Sequence, residues 1–202
     1  MADEPRQGGY LRQAWLVIVL ALVYGGALAA TQTALGPRVA ANRLREAYRE
    51  IPKLVGLDGE ANIVPIELTA ADGSQRQAYE VVASDGTLAG WVLRASGQGF
   101  QDRVELLVGV TPDVSTITGL YVLDQKETPN LGSLVAEPPF RDQFRGLSTD
   151  QPIAVVTSTP TTTSQIRSVT GATISSTSVA ELVNRVIEDM KTPLRRLRSG
   201  GK

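Results

Sequence analysis

From Ala14 to Ala30 the chain reads AWLVIVLALVYGGALAA, with no charged residue to interrupt it. Carried on through Thr31, Gln32 and Thr33 to Leu35, this stretch matches the span of about 20 residues that crosses a bilayer as a helix. In lipid every backbone group must be satisfied within its own segment, so such a run has little choice but to be helical. We therefore expect a short N-terminal segment (1–13), a single transmembrane anchor (14–35) and a connecting helix (36–53). A competing reading is a signal peptide cut after Ala27-Leu28-Ala29, a small-x-small site behind an apolar core. The length of the run favours the anchor. Trp15 and Tyr24 are the aromatic residues available to sit towards interfaces. Arg6 and Arg12 precede the run, and Arg38, Arg43, Arg45, Arg49 and Lys53 follow it. A literal positive-inside count would hold the globular part in the cytoplasm, but long domains translocate largely regardless of charge, so charge alone leaves the topology open.

The rest of the 202-residue chain suffices for one domain with a real core. Its net charge of -1 argues against nucleic acid as a partner. There is no cysteine and no histidine. That excludes disulfides, thiolate metal sites, a catalytic thiol and the Ser-His-Asp route to hydrolysis. We expect no metal site and no catalytic residue of the chain's own; carboxylates, hydroxyls, backbone or a borrowed cofactor must carry any chemistry.

Beyond Gly36-Pro37, residues Val39 to Ile51 read as a helix with Leu44, Tyr48 and Ile51 on one side, stopped by Pro52. Strand signals follow. Asn62 to Thr69 is an edge or irregular candidate because of Pro65. Ala78–Ala83 and Leu88–Leu93 flank Asp85-Gly86, a strong hairpin signal. Val104–Val110 and Ile117–Leu123 flank Thr111-Pro112-Asp113 in the same manner. The expected fold is α+β: an antiparallel meander of about four strands with flanking helices, behind a single N-terminal transmembrane helix. Pro138 to Phe144 suggests a short helix, Ile153 to Thr157 a further strand, and Ser158 to Ser164 a surface loop. Val179, Leu182, Val183, Val186, Ile187 and Met190 recur at helical spacing. Ser178 with Glu181 offers a capping box at the start of that helix, or a residue or two earlier, and Pro193 ends it. The folded domain then covers 54–192. Residues 193–202 form a basic tail, read as a solvated terminus or as a contact for lipid head groups or a neighbouring protein of the same assembly.

Two segments carry possible chemistry. The first is Ser168-Val169-Thr170-Gly171-Ala172-Thr173-Ile174-Ser175-Ser176, where small residues permit close approach to the backbone just before a helix. A helix start presents unpaired N–H groups and the positive end of the macrodipole, which suit a phosphate. The second is Lys126-Glu127-Thr128-Pro129-Asn130-Leu131-Gly132, a turn after the meander.

In this order and spacing, the two segments resemble the FMN-binding subunits of bacterial redox-driven ion pumps. The likeness is greatest to the G subunit of the Rnf electron-transport complex, and the C subunit of the sodium-pumping NADH:quinone reductase is a more distant relative. The resemblance also takes in the N-terminal anchor, Gly97 to Phe100, Leu106-Leu107-Val108-Gly109, and Asp142-Gln143-Phe144 with Gly146. It implies FMN held covalently through a phosphoester on Thr173, with Thr170, Gly171 and Ala172 completing the motif and Ser175 and Ser176 following it. Glu127, Thr128, Leu131 and Gly132 are candidates for lining the flavin. The chain departs from the family pattern at Arg167, where an aspartate is usual, at Lys126 for a frequent histidine, and at Asn130 for a frequent glycine. Asparagine tolerates left-handed backbone angles, which would preserve the turn.

A threonine hydroxyl needs activation, and no histidine is present to supply it. The resemblance accordingly implies a separate magnesium-dependent flavin transferase that moves FMN from FAD onto Thr173. It further implies other membrane subunits of an Rnf-type complex as partners and electron relay within it, between ferredoxin and NAD at the level of the whole complex. The expected location is the bacterial cytoplasmic membrane, single-pass, with the globular domain on the extracytoplasmic side. Two alternatives remain: the C subunit of the quinone reductase or a stand-alone extracytoplasmic flavoprotein, and an unflavinylated membrane-tethered assembly module.

Overall fold

A computed structural model describes residues 8–70 and 73–200. The expectations for residues 1–7, including Arg6, and for the tail residues 201–202 lie outside the described residues. The chain divides into two units, Met1–Arg45 and Glu46–Lys202.

In the first unit the described residues are helical, as part of α1 (Gly8–Leu54). Ala14–Val39 is long and apolar enough to cross a membrane, with a mean hydropathy of 2.1 and none of it buried. The helix runs through Gly36-Pro37, where the sequence suggests that a separate connecting helix begins. The hydroxyls of Thr31 and Thr33 donate to the carbonyls of Ala27 and Ala29, both at 2.8 Å. This internal bonding leaves the two polar side chains satisfied without water.

The second unit opens with the last turns of α1. The boundary lies within 36–53 because Ala47, Ile51 and Leu54 are buried in the folded domain. Five strands follow as an antiparallel sheet in sequence order: β1 (Ala61–Thr69), β2 (Gln75–Ala83), β3 (Leu88–Gln98), β4 (Arg103–Val110) and β5 (Ile117–Asp124). All five segments read as strands between Asn62 and Leu123 join the meander of about four strands expected, the edge candidate Asn62–Thr69 as β1. Pro65 is accommodated because β1 is an edge strand, where a missing N–H on the outer side costs nothing. Gly86, at φ 84, supplies the left-handed residue of the β2–β3 turn.

Beyond the sheet come a 3₁₀ turn (Gly132–Ala136), α2 (Pro138–Arg141) and a second 3₁₀ turn (Asp142–Phe144), in place of a single short helix. β6 (Ala154–Val156) pairs in parallel with β7 (Gln165–Arg167), a strand too short and polar to be read in advance. The exposed tract between them is the expected surface loop. α3 (Thr173–Arg198) completes the domain. It begins five residues before Ser178, and no side chain caps it. It also continues past Pro193, since Leu194 is fully buried and Nε of Arg195 donates to the Asp113 carbonyl at 3.2 Å. Likewise α1 passes Pro52 to reach Leu54.

Both faces of the sheet are covered. Leu93, Leu106 and Val108 face one core with Val179, Val183, Val186 and Met190 of α3. Tyr79, Val81, Val92 and Leu107 face a second core with Ala47, Ile51 and Leu54 of α1. This two-sided burial explains why β4 reads as a nearly continuous apolar run instead of an alternation.

Candidate functional site

Three loops meet at the N-terminus of α3. The β3–β4 turn brings Phe100 and Gln101, the loop after β5 brings Glu127 to Gly132, and the segment after β7 brings Ser168 to Ala172. β7 fixes the last of these. The Ser168 N–H donates to the Val156 carbonyl at 2.8 Å, and the Arg167 N–H to Oε1 of Gln143 at 2.7 Å. Gly171 then turns the chain at φ 82, and Ala172 leads into Thr173, the first residue of α3. In the second loop Asn130 sits at φ 58, the left-handed conformation its residue type tolerates, and its N–H donates to Oγ of Ser133 at 3.0 Å.

The convergence leaves a groove of about 310 Å³ lined by Thr128, Leu131, Gly132, Gly171, Thr173 and Ile174, with Phe100, Ala172 and Ser175 completing the wall. Thr173 is exposed within it. Phe100 and Ile174 are exposed by 58% and 59%, large apolar side chains at the rim that lie within the segments named from sequence but are not among the expected site residues. The signal available for both was an apolar residue next to the glycine run and next to Thr173, and on sequence such residues are indistinguishable from core.

The predicted site residues do not all reach this groove. Ser175 contributes to its wall, but its hydroxyl donates to Oε2 of Glu127 at 2.7 Å. Ser176 is fully buried; its Oγ donates to the Ala172 carbonyl at 2.9 Å and accepts from the Val169 N–H at 3.0 Å. It fastens the loop to the helix and is not available to a ligand. Glu127 is 4% exposed and lies behind the wall, where Oε1 also accepts from the Gln101 N–H at 3.1 Å. Thr128 donates to Oε1 of Gln101 at 3.2 Å, joining the first two loops. Thr170 faces away. With Arg167 it lines a neighbouring groove of about 450 Å³ formed by Leu134, Glu137, Pro139, Phe140, Gln143 and Val169.

The α3 N-terminus offers N–H donors to an anion, and the Glu127 carboxylate behind Ser175 sets one negative charge against it. The helix has no acidic residue in its first turn and no side-chain cap, so its leading N–H groups keep their hydrogen-bonding capacity. On the surface beside the groove, Asp102 is held below the usual carboxylate range by the Arg103 N–H and by Lys126, whose Nζ lies 3.5 Å away. No cluster of acidic residues that would hold a metal occurs among the described residues.

The residues present fit a flavin phosphate on three counts. Exposed Thr173 stands at an uncapped helix start. Gly171 admits the left-handed turn that places it there. Gly132 lets the second loop pack directly on this helix start, since a Cβ there would lie 2.8 Å from both Cβ of Glu127 and Oγ of Ser175.

Residues 99–188 match the model of the FMN-binding domain family. The chain is 32% identical over 178 residues to the G subunit of the ion-translocating oxidoreductase complex of Methanosarcina acetivorans, covering 85% of this chain and 89% of that one. It is 33% identical to the G subunit of the proton-translocating ferredoxin:NAD(+) oxidoreductase complex of Clostridium ljungdahlii, over 56% of this chain and 60% of that one. In fold it is similar to the crystal structure of NqrC from Shewanella oneidensis, with a TM-score of 0.66 at 17% identity, covering 79% of this chain and 99% of that chain. By its identity to the Methanosarcina protein across most of both chains, this chain belongs to the family of G subunits of ion-translocating oxidoreductase complexes.

Proposed function

We propose that this chain is a membrane-anchored flavoprotein subunit of an Rnf-type ion-translocating complex, with FMN esterified to Thr173 and electrons relayed through it. The observation that carries the reading is the exposed Thr173 hydroxyl on the groove at the start of α3, inside the segment matched by the FMN-binding family. The groove wall from Leu131, Ile174 and Phe100 suits an aromatic ring, and the α3 N–H groups suit the phosphate. When bound, FMN would supply the redox chemistry. The protein's part is to position and shield it.

Attachment falls to a separate flavin transferase, because the chain has no histidine to activate the hydroxyl. The bond formed joins Oγ1 of Thr173 to phosphorus; the bond broken is the FAD pyrophosphate, with AMP leaving and the hydroxyl proton passing to the transferase. Ala14–Val39 supports the anchor, and a covalent link suits a domain on the extracytoplasmic side, where a dissociated flavin would be lost. The named relatives are subunits of larger complexes, which supports other membrane subunits as partners; their ferredoxin and NAD chemistry belongs to the assembled complex.

The test is coexpression with a flavin transferase, followed by a denaturing gel and intact mass. Expected are a fluorescent band and a mass increment of FMN less one water. Both should vanish in Thr173→Ala and persist in Thr170→Ala, whose side chain lies in the other groove. A dark, unmodified wild-type band would overturn the reading in favour of an unflavinylated tether.

A further inference from the structure

We propose that Glu127 acts as a buried negative charge that lowers the reduction potential of the group held in the Thr173 groove. The inference rests on the functional reading above and assigns this carboxylate an electrostatic part in it, in place of direct contact with the flavin.

Three features of Glu127 support this. It is 4% exposed, and among the described residues it forms no ion pair. Its sequence neighbour Lys126 pairs with Asp102 on the surface instead. Among the described residues its two oxygens accept from neutral donors, the Gln101 N–H at 3.1 Å and the Ser175 hydroxyl at 2.7 Å. Finally, the surroundings are shaped to hold it. A Cβ on Gly132 would lie 2.9 Å from Oε2, and one on Gly99 would overlap Oε1. Ser175 and Gly132 both line the groove, so the carboxylate sits one hydroxyl behind its wall.

A carboxylate in such a place costs desolvation energy, and an apolar residue would fill the same volume without that cost. What a carboxylate adds is field. Buried charge is weakly screened by salt, and its interaction with a neighbour strengthens as the effective dielectric falls. A negative charge beside a redox group opposes the arrival of electrons and tunes its potential.

The experiment uses the full chain in detergent, coexpressed with a flavin transferase, its adduct verified by intact mass. Reductive titration followed by flavin absorbance compares wild type, Glu127→Gln and Asp102→Asn. Expected is a rise in midpoint potential for Glu127→Gln that persists at high salt. Asp102→Asn should give a smaller rise that salt removes, because Asp102 is exposed. An unchanged or lower potential in fully loaded Glu127→Gln would overturn the proposal. Should that variant fail to fold or to take up flavin, Ser175→Ala decides. It leaves the carboxylate facing the groove without its hydroxyl donor, so the potential should fall, and an unmoved or higher potential overturns the proposal. Absence of the adduct from wild type overturns the functional reading and this inference together. An adduct whose potential ignores Glu127 overturns this inference alone.

Discussion

Thr118 on β5 donates its hydroxyl to the carbonyl of Leu54, the last residue of α1. The approach is possible because β4 offers Gly109 at that point: a Cβ there would overlap both the Leu54 carbonyl and Oγ1 of Thr118. Gly90 lies against Val55 and Gly119 against Leu54, where a Cβ would come to 2.9 Å and 3.0 Å of those side chains. A row of three glycines across three strands is thus a seat for the end of α1, which caps the second core.

Gly109→Ala is expected to destabilise the domain by about 1–3 kcal/mol, the usual cost of overpacking. Thr118→Val should cost a similar amount, since the Leu54 carbonyl loses its donor where it is buried, at about 1–3 kcal/mol. Chemical denaturation of the full chain in detergent checks both. Wild-type stability in Gly109→Ala would mean that α1 does not seat there.

Leu194→Ala should cost about 2–5 kcal/mol as a large-to-small change at a fully buried position. The same change in a solvated tail, the reading that Pro193 invites, would be silent. Thermal unfolding separates the two outcomes.

Ser176→Ala removes both the donor to the Ala172 carbonyl and the acceptor of the Val169 N–H. A loss of about 1–3 kcal/mol is expected from leaving buried partners unsatisfied. The 168–172 loop should exchange its amide hydrogens faster, most of all at Val169. Exchange monitored by mass spectrometry reads this directly, with protection of the β3–β4 pair as the internal reference.

Asp113 is held down to about 2 from its ordinary 3.8 by hydrogen bonds from the hydroxyls of Thr111 and Ser115 and from the Ser115 N–H. These bonds brace the β4–β5 turn, where buried Val114 adopts φ 55, a costly conformation for a β-branched residue. Because the folded value lies below the unfolded one, the contribution is fully present above pH 3.8 and is lost as pH falls through about 2. The difference in unfolding midpoint between wild type and Asp113→Asn should therefore hold constant from neutral pH down to about 4 and close as the pH approaches 2. A difference that does not change across that window would remove Asp113 from the account.

Much of the fold was legible because its signals are local. The Ala14–Ala30 run, the Asp85-Gly86 turn and the spacing from Val179 to Met190 each report on a few neighbouring residues, and each element formed. The element ends were less legible. Pro52 and Pro193 discourage helix locally, yet burial of Leu54 and Leu194 carries both helices past them. A capping box at Ser178 is a sound local start, but the 168–172 loop delivers the chain to α3 already at Thr173.

By itself, the sequence determined an apolar N-terminal helix, a hairpin-built sheet, and a threonine placed after Gly-Ala shortly before a helix start. All three follow from steric preference and polarity over short stretches of chain. Only the tertiary structure decided which oxygens that helix start leaves open: Thr173 faces the groove, Thr170 another one, and Ser175 is spent on Glu127, 48 positions earlier in the chain. Hydrogen-bond partners at that separation are chosen by closure of the whole sheet and its loops, and no local pattern encodes the choice.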